Sequence, residues 1–149
     1  MDTPIVFKGR VGTGLFRDFS FPVRARAWAD VVGPAVTEAI RREAPISSGR
    51  DAGGLRRSVD FSAHVTRNRV FLDFHVNSPV AEFIIKGTQP HEIRPRNKNA
   101  LHWSDGHSEF FAKVVHHPGT KPNDFLTRAV EYMTPWMRET FRMAVTEGL

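Results

Sequence analysis

The segment VDFSAHVTRNRVFLDFHV, residues 59–76, decides the fold class. Val59, Phe61, Ala63 and Val65 alternate with Asp60, Ser62 and His64. After Thr66-Arg67-Asn68-Arg69 the alternation resumes at Val70, Leu72, Phe74 and Val76. Successive strand side chains point to opposite faces, so this period marks strands with one buried face. Two such runs across a short polar turn read as a β-hairpin, whose strands pair antiparallel.

Upstream, residues 23–43 are helical in pattern. Trp28, Val31, Val32, Ala35, Val36, Ala39 and Ile40 recur at spacings of three and four, with Arg24, Arg26, Asp30, Glu38, Arg41 and Arg42 mostly on the other face. Gly33-Pro34 interrupts the run. A proline inside a helix costs roughly 3 kcal/mol, so a kinked helix or two short ones are expected. Residues 44–55 read as a loop rich in serine and glycine. Within residues 1–22, VFKGRVGTGLF has room for a short strand, but Gly9, Gly12 and Gly14 loosen it, so the segment reads as an arm or edge segment, either flexible or ordered on a partner.

Downstream, residues 77–88 carry a short helix, with Ser78 as N-cap, Pro79 in the first turn and Gly87 as the stop. Residues 100–103 and 109–116 read as strands of a second hairpin around SDGHS. Residues 124–145 form a last helix with its apolar face at Phe125, Leu126, Ala129, Val130, Met133, Trp136, Met137, Phe141 and Ala144, kinked at Pro135. The expected architecture is α+β. An antiparallel sheet of about four strands, from two hairpins, packs with two long kinked helices, beside a short helix and an N-terminal arm. The 149 residues suit one domain over 1–149.

Composition narrows the chemistry. The chain has no cysteine, which removes disulfides, thiolate nucleophiles and cysteine-ligated zinc. No apolar run is long enough to cross a bilayer, and the start MDTPIVFKGR lacks a secretory pattern, so assembly in the cytosol is expected. A net charge of +5 and a pI near 10.2 permit contact with nucleic acid or an acidic partner without establishing either.

Seven histidines raise the question of a metal. No HExxH motif occurs, and the adjacent His116 and His117 point to opposite faces of a strand. No GxSxG elbow occurs, and Asp105 and Glu109 flank a solvated turn. GRVGTG and SGRDAGGL match neither phosphate-binding fingerprint. No catalytic residue, metal or cofactor is assigned on these grounds. A small metal-dependent hydrolase or nuclease built on the histidines is the alternative from another class. Arg50, Arg56 and Arg57 read either as a solvated loop or as contacts to phosphates or an acidic neighbouring subunit. Phe83, Ile84 and Ile85 cannot all face one core, so the choice is a deeply buried helix or a subunit contact.

Three stretches, taken in order, resemble one family. APISSGRDAGGLRRSV (44–59), PVAEFIIKGTQPHEIRPRNKNALHW (79–103) and KVVHHPGTKPNDFLTRAV (113–130) look like the motifs of tail-completion proteins of long-tailed phages. These are also called neck, head–tail joining or minor tail proteins. Val80 replaces a usual tyrosine, Lys86 a usual acidic residue, and RDAGG lengthens the first loop. The resemblance implies an α+β fold without catalysis. It implies a homo-oligomeric ring in the virion neck, between the capsid connector and the non-contractile tail tube, assembled in the host cytoplasm. Its implied partners are itself, a head-closure or connector protein, a tail terminator or tube protein, and the genomic DNA in the channel. Tail terminator and head-closure connector are the neighbouring readings.

Within this resemblance, HHPGTKPNDFL (116–126) reads as a rigid corner. Pro118 fixes φ, Gly119 takes a positive φ, Pro122 stiffens the exit and Asn123 N-caps the last helix. Gly87-Thr88 and Pro90-His91 look like a companion to His117-Pro118-Gly119-Thr120. The two corners are expected to pack together and bring His91 near His117.

Overall fold

The structure, a computed structural model, describes residues 5–11 (β1, as backbone), 20–46 and 53–146. It is mixed α+β with antiparallel ladders, and it divides into two compact units, residues 1–82 with 124–149, and residues 83–123.

In the first unit, β2 (Val59–Val65) and β3 (Val70–Val76) form the expected hairpin. On β3, Val70, Leu72, Phe74 and Val76 are buried and the residues between them are half-buried. Phe61 and Phe74 sit directly opposite each other, ring centroids 6.4 Å apart. The other edge of β3 is taken by β1 (Ile5–Val11), which pairs along its full length. Part of the expected arm is therefore a sheet strand. Its Gly9 lies opposite Leu72, because ladder bonds use the backbone and glycine supplies that as well as any residue. The sheet thus has three strands, in the order β1-β3-β2, and not four.

Two long helices complete this unit. α1 (Phe21–Glu43) packs on α4 (Phe125–Thr146) and on β2. α1 begins two residues before the expected start, with Pro22 in the first turn, where the missing N–H costs nothing. Both helices run on through their prolines rather than dividing. Pro34 and Pro135 are exposed, so the carbonyl that each leaves unbonded is near water. The core is Phe21, Ala25, Trp28, Val32, Val36 and Ile40 against Phe125, Ala129, Met137 and Phe141. Trp28 meets Phe141 edge-on, ring centroids 5.1 Å apart. The Trp28 indole N–H donates to Thr140 Oγ1 at 3.1 Å. Thr140→Val leaves that donor without its partner and should lower stability by about 1–2 kcal/mol in urea unfolding. An unchanged unfolding midpoint would show that the bond contributes nothing.

Short elements depart from expectation in two places. Within the expected loop, Gly54–Arg57 form a helical turn, α2, that buries Leu55. Gly53 enters it at φ +77°, a conformation that disfavours a side chain. The short helix α3 is Ala81–Lys86, after a turn at Pro79-Val80, and Gly87 ends it at φ +72°. At the last helix, Asp124 rather than Asn123 supplies the cap, with its Oδ1 accepting the Thr127 N–H at 3.0 Å. The Asn123 N–H instead donates to the Ile84 carbonyl at 2.9 Å.

The second unit holds two separate ladders. β4 (His91–Ile93) pairs with β7 (Val115–His117), and β5 (Leu101–Ser104) pairs with β6 (Glu109–Ala112). The single strand expected over 109–116 divides at Lys113-Val114, because its two ends answer to different partners. The second hairpin therefore does not extend the first into one sheet.

Candidate functional site

The two corners meet. Thr88 N–H donates to Thr120 O at 2.9 Å, and Thr120 N–H returns the bond to Thr88 O at 3.0 Å. Continuing the register, His91 stands opposite His117, and their rings stack with centroids 5.0 Å apart. Both glycines have positive φ, +72° at Gly87 and +85° at Gly119. A Cβ on Gly87 would lie 2.4 Å from Thr120 O, and one on Gly119 would lie 2.3 Å from Thr88 O. Each glycine is bare because the opposite backbone occupies its side-chain space. Pro122 lies against Gly87 and Pro90 against Gly119, so the two prolines close the clasp.

The clasp fixes the histidines' chemistry. His91 Nδ1 lies 2.9 Å from Gln89 O, a group that only accepts, so this nitrogen carries the proton. His117 Nδ1 accepts the Gly119 N–H at 3.1 Å, so it carries none. His116 points the other way, with Nδ1 3.5 Å from a Glu92 oxygen. The hydrogen bond from Arg94, and then its charge, hold the Glu92 carboxyl below the usual carboxylate range. Among the described residues, no group of three or more histidine or acidic side chains is placed to hold a metal ion.

The β5–β6 hairpin is aromatic on both faces. Trp103 stacks on Phe110 across the strands, and His102 stacks on Phe111 at the next position, which faces the other way. His102 also pairs with Glu109. Trp103, Phe110 and Phe111 remain 43%, 39% and 69% exposed. At the tip, Asp105 Oδ1 accepts the N–H groups of His107 and Ser108, which lower its pKa. That support for the turn is present above the ordinary aspartate range and fades as pH falls through the lowered value.

The remaining candidates are dispersed. Arg56 and Arg57 sit on α2 in the first unit, whereas Arg50 lies outside the described residues. Phe83 is exposed and Ile84 and Ile85 are half-buried, so α3 is not a deeply buried helix. Two features escape sequence reading. Trp103, Phe110 and Phe111 look like ordinary core formers in short strands, and only the isolation of their ladder exposes them. Arg41 and Arg42 look like the solvated face of a helix, and only the fold brings them to Arg56 and Arg57 in one pocket. Comparison with family models, with curated proteins and with solved structures found no match.

Proposed function

We propose that the chain is a structural virion subunit of the phage neck, a tail-completion or head–tail joining protein that works as a homo-oligomeric ring. The observation that carries this reading is the β5–β6 hairpin. A two-stranded ribbon alone is marginally stable in water, and large aromatics on both its faces are costly to leave wet. Such a hairpin suits a subunit whose ribbon is covered when neighbours assemble. The rigid clasp in the same unit suits a part that must hold one shape under load. The ordered resemblance over 44–130 supplies the identity of the assembly.

In this reading the partners are further copies, a head-closure or connector protein on one side, and a tail terminator or tube protein on the other. Many modest interfaces around a ring sum to a firm joint. Phe83, Ile84 and Ile85 add to the subunit contacts. The basic residues Arg50, Arg56 and Arg57 touch the genome in the channel without reading its sequence. A bend at Pro34 and at Pro135 belongs to the same reading, since each ring crowds the carbonyl four residues before it.

Deletion of the gene from the phage that carries it tests the proposal by electron microscopy of the lysate. The expected picture is full heads beside finished, unattached tails. Tails of irregular length would move the assignment to the terminator, and emptied heads to head closure. Normal joined virions would overturn all three.

A further inference from the structure

The β5–β6 ribbon has one wholly apolar face. Leu101 and Trp103 on β5 stand opposite Ala112 and Phe110 on β6, and the period of two puts all four on that face. The opposite face carries His102, Ser104, Glu109 and Phe111. The acids of the ribbon are engaged within it, Glu109 by His102 and Asp105 by the amides of its own turn. Lys98, before β5, and Lys113, after β6, are exposed and enter no ion pair among the described residues. The ribbon is thus an apolar knob with cations at its open end.

The first unit holds a hollow of matching kind. A cleft of about 720 Å3 lies between α1 and α4. Ala35 and Ala39 of α1 and Ala129 and Met133 of α4 line it, and the short alanines leave the space open. A cavity of about 150 Å3 takes one benzene ring, so this cleft has room for two large aromatic side chains. Tyr132 lines it too and is 83% exposed, a wet aromatic with nothing packed over it. Along the cleft, Glu38 pairs with Arg42 at 3.4 Å and Glu43 with Arg128 at 3.5 Å. Glu131, in the same lining, is exposed and pairs with neither arginine.

We propose that the ribbon of one copy seats its apolar face in the α1–α4 cleft of a second copy. Trp103 and Phe110 enter against Ala35, Ala39 and Met133, Tyr132 covers them, and Lys98 or Lys113 comes to Glu131. Two aromatic anchors in a hollow, with one ion pair at the edge, are what a specific interface is made of. A knob and a hollow on different parts of one chain make a heterologous contact, which builds rings when the rotation closes. The choice of a second copy as occupant rests on the ring reading given above.

The chain has no cysteine, so single cysteines report the contact without background. Lys113→Cys and Glu131→Cys variants are mixed, one of them isotope-labelled, and treated with a short bis-maleimide. The ion pair they lose sits at the edge and sets orientation more than affinity. Concentrations run to about 1 mM, where even a millimolar contact is half formed. Mass spectrometry should find the mixed dimer well above either like dimer. Adding Tyr132→Arg to the Glu131→Cys chain should weaken the contact about tenfold or more. Trp103→Ser on the other chain should do the same; Tyr132→Arg stays decisive if the ribbon unfolds, because Tyr132 is too exposed to hold the fold. No mixed dimer, a mixed dimer indifferent to Tyr132→Arg, or a preference for Lys113→Cys with itself would overturn the interface. The deletion lysate reads the neck assignment separately. A mixed dimer with normal virions keeps the interface and removes the neck, whereas unattached heads and tails without a mixed dimer do the reverse.

Discussion

Gly33→Ala should destabilise the first unit by about 2–3 kcal/mol, although an exposed helix interior would gain about 1 kcal/mol from the same change. The reversal comes from Phe61. A Cβ built on Gly33 would lie 2.0 Å from Phe61 Cε2 and 2.5 Å from two further ring atoms. The Phe61 ring of β2 occupies the space a side chain at 33 would need, and that close approach is why the helix carries a glycine there. An aromatic ring cannot fold its tip away as a lysine can, so the strand or the helix must shift. Denaturant unfolding of Gly33→Ala, Phe61→Leu and the double variant gives the measurement. With leucine at 61, most of the penalty for alanine at 33 should vanish, leaving a coupling of about 1–2 kcal/mol. Stabilisation by Gly33→Ala alone would mean that the ring does not occupy that space.

Gly33 also shows why the sequence is legible in some places and opaque in others. Gly33-Pro34 reads as an interruption because propensity is local, whereas the reason for the glycine lies on a strand about thirty residues away. The hairpin over 59–76 is legible because burial of one face writes a period of two directly into the residues. β1 is faint for the opposite reason: Gly9 within it, with Gly12 and Gly14 just after, thins the side-chain signal, while the ladder bonds need only backbone. β4 and β7 have three residues each, too few to show any period. Their pairing was legible through Gly-Thr beside histidine, which occurs twice in opposite order. The Arg41–Arg57 pocket had no such mark, because nothing in the spacing of a helix and a loop says that they converge.

Gly87→Ala and Gly119→Ala should each cost about 3 kcal/mol or more, and the loss should fall on residues 83–123. Two penalties combine. At φ +72° and +85° an alanine is strained whatever the space, which accounts for about 1 kcal/mol. The larger part is collision with backbone, at 2.4 Å from Thr120 O and 2.3 Å from Thr88 O, and no side-chain rotation relieves it. Gly106 separates the two. It has φ +92° with no heavy atom within 4 Å of its Cβ position, so Gly106→Ala should cost only the conformational part. Because both clasp glycines guard the same contact, the double variant should lose little more than either single one. Hydrogen exchange at the Thr88 and Thr120 amides reads the effect where it arises, since both are donors in the reciprocal bond. Protection there should drop by about a hundredfold or more, while helical amides of α1 and α4 keep theirs. Comparable protection in Gly106→Ala and Gly119→Ala would sink the clasp as the element that holds this unit. Equal loss in α1 and α4 would show instead that the two units unfold as one.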